Sequence, residues 1–174
     1  EDAVLVHGLA SAISQGTEML LYRGEGPEPF DPSLGVGAGG TYPCRYGYAW
    51  VGERDDDGQR VFALAPHGDA HRLAPREMRP LRSDIPVARA TLAANLETAI
   101  TCAWDAQAAF GERVVVLGGG VVGLLSAWVL AKSGCRVTLV DPRRARRECA
   151  TLLGAHAVEI AQPSLETSAD VVIE

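Results

Sequence analysis

The chain has 174 residues, enough for one ordinary domain or for two small or incomplete ones. Its hydrophobic fraction of 47% and its charged fraction of 22% are typical of a globular protein, and no apolar run is long enough to cross a bilayer. The formal net charge of -6 would repel nucleic acid and anionic membranes, so neither is expected as a partner.

The four cysteines are scattered along the chain and form no CxxC pair. They are Cys44, Cys102, Cys135 and Cys149. A disulfide framework or a structural zinc site needs tighter spacing, so reduced thiols acting as small buried side chains are expected. Because the N-terminus also lacks a signal-peptide pattern, the chain is predicted to be cytoplasmic.

The first half of the chain, residues 1–85, is rich in Gly and Pro and predicts a β-rich unit. Short apolar runs at Ala3–Val6, Tyr48–Val51 and Val61–Ala65 predict strands separated by turns. Gly35–Gly40 is expected to be a flexible loop, and Asp55–Gly58 an exposed turn. No long helical period interrupts this pattern.

A connecting helix is predicted over residues 86–110. Asp84 is expected to cap it, and Pro86 suits its first turn. The stretch Ala88–Ala109 is dense in helix-forming residues, and Phe110–Glu112 is expected to end the helix. The third predicted segment is then residues 111–174.

Strands and helices alternate in residues 111–174. The predicted strands are Val114–Leu117, Val137–Val140, Ala155–Ile160 and Asp170–Ile173; the predicted helices are Val121–Lys132, ending at Ser133–Gly134, and Arg143–Leu153, ending at Gly154. This alternation with short connections predicts a parallel sheet with right-handed crossovers. The fold class is therefore α/β: a partial, doubly wound Rossmann sheet preceded by a β-rich domain.

A glycine-rich turn joins the first of these strands to its helix. Gly118, Gly120 and Gly123 form a G-x-G-x-x-G motif, in which Gly118 permits the sharp turn, Gly120 allows close approach of a pyrophosphate and Gly123 allows close helix packing. Val121 and Val122 begin the helix, whose free N–H groups favour phosphate. Asp141 ends the second strand, 23 residues after Gly118, and is predicted to accept the ribose hydroxyls.

The choice between NAD and NADP depends on charges that follow the second strand. Asp141 would repel a 2′-phosphate, which favours NAD. Four arginines just beyond it favour NADP: Arg143, Arg144, Arg146 and Arg147. Arg143 and Arg146 are the cofactor-binding candidates among them. A solvated helix face is the commoner meaning of such a run. NAD is therefore predicted, with NADP left open.

Two alternative functions stay open at this point. The same motif begins many flavoproteins, although here over 110 residues precede it and the terminal acid is Asp141 rather than Glu. A non-catalytic dinucleotide-binding or scaffolding module is the other alternative. A methyltransferase is disfavoured because the third glycine and the close helix packing indicate a dinucleotide.

Taken almost end to end, the chain resembles the medium-chain dehydrogenase/reductase family, of the alcohol dehydrogenase type. Ser11–Glu18 is similar to the family's S-G-I-C-G-T-D segment with one extra residue, and Tyr46–Gly52 to its G-H-E-x-x-G segment. Ala93–Ala99 falls at the helix before the Rossmann domain, and Leu117–Gly123 at the cofactor turn. The resemblance implies a GroES-like (chaperonin-10-like) catalytic domain, an NAD(P)-dependent oxidoreductase, and a homodimer.

The residues that bind zinc in that family are replaced here. Its cysteine corresponds to Ser14 or Gln15, its histidine to Tyr48 and its glutamate to Ala49, and Val61–Arg82 contains no Cys for a second, structural zinc. The chain therefore resembles a zinc-free branch that includes the bacteriochlorophyllide hydroxyethyl dehydrogenases. His67 and His71 stand four residues apart, but the residues between them read as a loop, so no metal is expected there.

In a zinc-free enzyme of this type, other side chains must move the proton as hydride passes between nicotinamide and an alcohol or ketone substrate. The resemblance implies three catalytic candidates: Thr17, Tyr48 and Glu97, with Asn95 beside the last. The terminal residues Val171–Glu174 are similar to a sheet strand after which the family continues. We therefore expect an incomplete enzyme that carries only the adenosine-binding half of the cofactor domain.

Overall fold

The computed structural model describes residues 2–25, 45–160 and 168–174. The chain divides into two compact units, Glu1–Ala94 and Asn95–Glu174. The predicted flexible loop Gly35–Gly40 and Cys44 lie outside the described residues.

The first unit contains a five-stranded antiparallel sheet with the strand order β4-β1-β2-β3-β5. Its strands are β1 (Val4–Ser11), β2 (Trp50–Arg54), β3 (Arg60–Ala63), β4 (Ala70–Leu73) and β5 (Met78–Pro80). The other elements among the described residues of this unit are helix α1 (Thr17–Tyr22), a short 3₁₀ helix (Pro75–Glu77) and helix α2 (Val87–Ala90).

Both faces of this sheet carry buried side chains, and successive residues of a strand point to opposite faces. One face carries the buried cluster of Val6, Trp50, Val61, Ala63, Ala65, Leu73 and Met78. The other face carries Val51 and Phe62, which pack with Ala90 of α2. The register pairs Trp50 with Ala63 and Val51 with Phe62, so neighbouring residues of β2 supply opposite cores.

The predicted β-rich character of this unit is confirmed, with shifted strand bounds. The strand predicted from Ala3 extends to Ser11, and it contains an irregularity in its pairing between Gly8 and Ala10. Strands β4 and β5 and helix α1 were not predicted. The exposed turn at Asp55–Gly58 is confirmed, since the Gly58 N–H donates to the Arg54 carbonyl at 3.0 Å.

The prediction of one continuous connecting helix is wrong. The structure has two helices, α2 and α3 (Ala93–Asp105), separated by a turn at 91–92. Ala90, at the end of α2, is buried against the sheet of the first unit, so local packing overrides the run of helix-forming residues. At the far end, Gln107 has a φ of 51°, which ends the helical path before Ala109.

The predicted helix cap at Asp84 is also wrong. The Asp84 carboxylate pairs instead with the Arg82 guanidinium at 2.7 Å. Pro86 occupies the N-cap position of α2, and no side chain caps that helix. A guanidinium two residues away offers the carboxylate a bidentate partner, which a single backbone N–H does not.

The second unit contains a four-stranded parallel sheet with the strand order β8-β7-β6-β9. Its elements in chain order are α3, β6 (Arg113–Leu117), α4 (Val121–Lys132), β7 (Arg136–Val140), α5 (Arg144–Leu152), β8 (His156–Val158) and β9 (Val171–Ile173). The predicted alternation and the parallel pairing are confirmed. Strand β6 is a central strand, paired on one side with β7 and on the other with β9. Its valines are therefore buried.

The chain turns after α4 and α5 are confirmed as glycine turns. Gly134 has a φ of 88° and Gly154 a φ of 94°, conformations that residues with a side chain rarely adopt. The described cysteines, Cys102, Cys135 and Cys149, are all free thiols. No helix in the described ranges has the length and hydropathy needed to span a membrane.

Candidate dinucleotide-binding site

The glycine turn stands between β6 and α4, at the carboxyl end of the central strand. Gly118 has a φ of 95°, and its N–H donates to the Val140 carbonyl at 2.8 Å, which ties the turn to β7. A side chain at Gly123 would place its Cβ 2.0 Å from the Gly118 carbonyl oxygen. The first and third glycines therefore pack directly on each other, and the helix begins close to the strand.

Gly120 is in a different position from the other two glycines. It is the N-cap residue of α4, with a φ of -69°, and no heavy atom outside its chain neighbours lies within 4 Å of the position of a Cβ there. Neither packing nor backbone conformation therefore requires a glycine at position 120. Bare backbone facing open space at a helix N-terminus is the cradle that a pyrophosphate requires.

Val121 and Val122 begin α4 at this cradle. The first N–H groups of an α-helix have no partner within the helix, and its amino end carries a partial positive charge. Val121 is 51% exposed, so the amino end of α4 is accessible to a ligand. The residues that are present therefore fit the diphosphate of a dinucleotide.

Asp141 directly follows β7, and its carboxylate connects the two strand ends. The Gly119 N–H donates to one carboxylate oxygen at 2.7 Å, and the Arg143 N–H donates to the other at 2.7 Å. The Arg146 guanidinium lies 3.1 Å from the first oxygen. Asp141 is only 2% exposed, so the side chain braces the glycine turn from within.

The pKa of Asp141 results from opposing effects. Burial raises it, but the N–H groups of Arg143 and Gly119 and the guanidinium of Arg146 more than offset burial, so the pKa is below its usual value. The carboxylate therefore stays ionised at neutral pH. The sequence pattern predicts only a ribose-binding role for Asp141, and this structural role was missed.

The four arginines after β7 have separate partners. Arg146 pairs with Asp141, while Arg144 pairs with Glu148 one helical turn away at 2.7 Å. Arg147 donates to the carbonyls of Asp141 and Pro142 at 2.9 and 2.8 Å. Arg143 contributes its backbone N–H, and its side chain is exposed. Two of the four guanidinium groups, those of Arg146 and Arg147, thus hold the start of α5 against the end of β7.

The three catalytic candidates lie in different units. Thr17 is the exposed first residue of α1, and Tyr48 is a partly buried residue two positions before β2, so both belong to the first unit. Glu97 lies on α3 in the second unit, where it is exposed and accepts from the Thr101 hydroxyl at 3.5 Å. They therefore remain candidates.

One cluster in the first unit was missed by sequence reasoning. His67 lies between the Ser11 hydroxyl and the Glu18 carboxylate, within hydrogen-bond distance of both. The sequence singles out His67 only beside His71, as a metal pair that was not expected. Ser11 and Glu18 are 56 and 49 residues from His67, so no local spacing could reveal the cluster. Across the described ranges, no three His, Cys, Asp or Glu side chains are grouped to hold a metal ion.

Comparison with known proteins gives a family match around the glycine turn and short likenesses to individual proteins. Residues 113–153 match the family described as FAD dependent oxidoreductase. Within the chain, 34 residues are 68% identical to the D-amino acid dehydrogenase of Vibrio vulnificus (strain YJ016), covering 20% of this chain and 8% of that protein. The likeness is confined to a segment shorter than one domain.

Solved structures match over most of the chain. The quinone oxidoreductase from Thermus thermophilus, also solved in complex with NADPH, gives a TM-score of 0.72 at 23% identity, over 90% of this chain and 50% of that one. Acetophenone reductase from Geotrichum candidum, in complex with NAD, gives a TM-score of 0.76 at 15% identity, over 93% of this chain and 57% of that one.

These likenesses establish the fold class. The antiparallel unit is GroES-like and the parallel unit is Rossmann-like, as the sequence predicted. The chain spans about half the length of the solved structures that it matches.

Proposed function

We propose that the chain belongs to an NAD(P)-dependent oxidoreductase of the medium-chain dehydrogenase/reductase type. The observation that carries the proposal is the cradle of Gly118, Gly120 and Gly123, with Asp141 at the end of the next strand. It occurs in a chain whose fold matches a quinone oxidoreductase and a ketone reductase over at least 90% of its length. Small-molecule substrates and a homodimer in the cytoplasm are part of the same proposal.

A nicotinamide cofactor, when bound, accepts hydride from an alcohol or supplies it to a ketone. The residues of this chain would bind and orient its adenosine diphosphate half. The amino end of α4, with Val121, Val122 and Gly123, would hold the pyrophosphate. Asp141 has two backbone N–H partners and one guanidinium partner and is 2% exposed, so a ribose hydroxyl would reach its remaining acceptor position once the Arg146 side chain moves aside.

Zinc independence is supported by the chemistry of the side chains. Ser14 or Gln15, Tyr48 and Ala49 stand where the resemblance places metal ligands, and none of them supplies a thiolate or an imidazole. Thr17 and Tyr48 instead offer hydroxyl groups that can hydrogen-bond to a carbonyl oxygen, and Glu97 offers a carboxylate. Turnover of a ketone with NADH is therefore expected to survive prolonged treatment with a metal chelator.

A flavin-dependent oxidoreductase is the second candidate, favoured by the local match over residues 113–153. FAD and NAD share the same adenosine diphosphate half, and β6, α4 and β7 are the elements that bind this half in either class. The local match is therefore explained by the adenosine diphosphate half that the two cofactors share. The fold over at least 90% of the chain favours the nicotinamide cofactor.

The preference for NAD is supported by the ionised carboxylate of Asp141, which would repel a 2′-phosphate. Arg146, at 3.1 Å from that carboxylate, partly neutralises it, so the expected preference is moderate. The exposed side chain of Arg143 is free of the brace around Asp141 and would favour NADP.

Calorimetric titration of the intact protein with NADH and NADPH, and a visible absorption spectrum, test these proposals. Asp141→Ala is expected to reduce the preference for NADH. The matched control is Asp170→Ala, because Asp170 pairs with Arg113 at the opposite end of β6. Equal affinity of the parent for both nucleotides would contradict the choice of NAD. A yellow protein with bound flavin, or no binding of either nucleotide, would contradict the nicotinamide assignment.

A further inference from the structure

The cluster around His67 contains three side chains in a row. The His67 Nε2 atom lies 2.7 Å from the Glu18 carboxylate, and its Nδ1 atom lies 2.8 Å from the Ser11 hydroxyl. The Glu18 side chain is 10% exposed, whereas Ser11 is exposed. The row thus runs from an enclosed carboxylate, through an imidazole, to a hydroxyl that a small molecule can reach.

The chemistry of these groups sets the direction of the hydrogen bonds. A carboxylate only accepts, so the proton on a neutral His67 ring is on Nε2 and is donated to Glu18. Nδ1 then has a free lone pair, and the Ser11 hydroxyl donates to it. This is the order of roles in a serine–histidine–acid triad, where the acid orients the imidazole and the imidazole takes a proton from the hydroxyl.

The loop that carries His67 is held by hydrogen bonds on several sides. The indole N–H of Trp50, a residue only 1% exposed, donates to the Gly68 carbonyl at 2.9 Å. The Gly8 N–H donates to the Asp69 carbonyl at 2.7 Å, and the His71 ring lies 2.8 Å from the Pro66 carbonyl. A buried indole and two strands therefore position this loop before any ligand arrives.

The segment before β2 approaches His67 from the other side. The His67 N–H donates to the Tyr46 carbonyl at 3.1 Å. Gly47 permits this contact, since its φ is 140° and a Cβ there would lie 2.8 Å from the His67 nitrogen. Burial raises the pKa of the Tyr46 hydroxyl, and Tyr48 and Glu18 raise it further, so Tyr46 stays protonated and does not act as the base.

We propose that Ser11, His67 and Glu18 form a proton-transfer chain that serves the reacting oxygen of the substrate. The inference rests on the proposed function. The segment Ser11–Glu18 also carries the candidate Thr17, and the segment before β2 that contacts His67 carries the candidate Tyr48. When a bound nicotinamide cofactor accepts the hydride of an alcohol, the Ser11 oxygen would take the hydroxyl proton of that alcohol. The Ser11 proton passes to His67 Nδ1, and the electron pair left on the substrate oxygen completes the C=O bond. In this scheme Ser11 touches the substrate, while His67 and Glu18 act through it.

The first test uses no substrate. Long-range ¹H–¹⁵N correlations of the intact protein report which ring nitrogen of His67 carries the proton. We expect the Nε2–H form, and Ser11→Ala is expected to change the Nδ1 resonance while leaving that of Nε2 in place. A ring protonated on Nδ1 alone would overturn the proposal, because Nδ1 could not then accept the serine proton.

The second test measures turnover with NAD and an alcohol. His67→Gln is expected to lower kcat by roughly 100- to 10,000-fold, the range for loss of a positioned acid–base group, with KM and NADH affinity changed less than about twofold. Added imidazole is expected to restore part of the kcat of His67→Ala, which loss of a merely structural side chain would not allow. The matched control is His7→Gln, since His7 also pairs with a carboxylate, that of Asp55, at 3.2 Å, but both side chains are exposed.

The outcomes separate this inference from the proposed function. If the parent turns over and His67→Gln retains its kcat, the proton-transfer chain is refuted while the oxidoreductase assignment stands. If the parent binds no nicotinamide cofactor, the proposed function is refuted, and the proton-transfer chain that rests on it is refuted as well. Labelling of Ser11 by a fluorophosphonate would also overturn the proposal, because it would identify that hydroxyl as a nucleophile. Thermal unfolding of each variant verifies that it is folded.

Discussion

Replacing Gly123 and Gly120 separately by alanine tests the two roles that the glycine turn combines. In Gly123→Ala the new methyl group would lie 2.0 Å from the Gly118 carbonyl oxygen, whereas real Cβ contacts are essentially never under 3.0 Å. The helix or the turn must therefore move by about 1 Å, and overpacking of this kind costs about 1–3 kcal/mol. Alanine regains up to about 1 kcal/mol through its better helix propensity.

The movement also strains a hydrogen bond. The Gly118 N–H donates to the Val140 carbonyl at 2.8 Å, and such a bond contributes about 1 kcal/mol. We therefore expect Gly123→Ala to lower the free energy of unfolding by about 2 kcal/mol, a fall in melting temperature of roughly 4–8 °C for a chain of this size. Cofactor affinity falls as well, because the turn itself is displaced.

Gly120→Ala is the matched control, since its methyl group meets no atom within 4 Å and its φ of -69° suits any residue. The free energy of unfolding is expected to stay within about 0.5 kcal/mol of the parent. The methyl group nevertheless occupies the space that a pyrophosphate needs, so NADH affinity is expected to fall roughly 10- to 100-fold.

Differential scanning fluorimetry and calorimetric titration of both variants measure the two effects. Parental stability in Gly123→Ala would show that the two glycines are not in contact. Parental NADH affinity in Gly120→Ala would show that the pyrophosphate does not approach this backbone.

Three further predictions concern buried polar groups of the second unit. Ser126→Ala is expected to raise the free energy of unfolding by about 1 kcal/mol, because the buried Ser126 hydroxyl has no hydrogen-bond partner within the described residues; a loss of stability in a thermal melt would contradict this. Asp141→Asn is expected to lower stability at pH 7 by about 2 kcal/mol, because the charge opposite Arg146 and the backbone N–H groups is lost. Because the folded-state pKa of Asp141 is lowered, the ionised carboxylate stabilises the fold above the ordinary pKa of 3.8, and this stabilisation is lost as the pH falls through the folded pKa. The free energy of unfolding, measured with urea from pH 7 to pH 2, should therefore change less in Asp141→Asn than in the parent. Burial, with a smaller effect of Glu112, raises the pKa of Cys135, so iodoacetamide should alkylate this thiol more slowly in the folded protein than in urea; equal rates would refute its burial.

The elements that sequence could predict are those whose own residues are buried. Strand β6 is a run of β-branched residues, and α4 begins and ends at the predicted residues because glycines stand at both ends. Strand β4 carries only one buried residue, Leu73, and so has no recognisable alternation. It is a strand because it pairs with β1, which is tertiary information. Helix α1 likewise buries only Leu21.

The candidate site shows the same division. The cofactor turn is contiguous, so its three glycines and Asp141 could be recognised from spacing alone. The partners of Asp141 could not be, because the hydrogen bond to the Gly119 N–H spans 22 residues and forms only when β6 and β7 pair. The cluster of Ser11, His67 and Glu18 spans still longer separations and depends on how the loop before β4 folds back on the sheet.

The brace formed by Asp141 has a consequence for any attempt to engineer coenzyme preference. Exchanging this aspartate for a small or basic residue, the obvious route to a phosphorylated coenzyme, would remove the bonds that hold Gly119 and the start of α5. Selection for altered preference would then be opposed by loss of folding stability at the same residue. Arg143 is the better starting point, because its exposed side chain can be varied while its backbone N–H keeps its bond to Asp141.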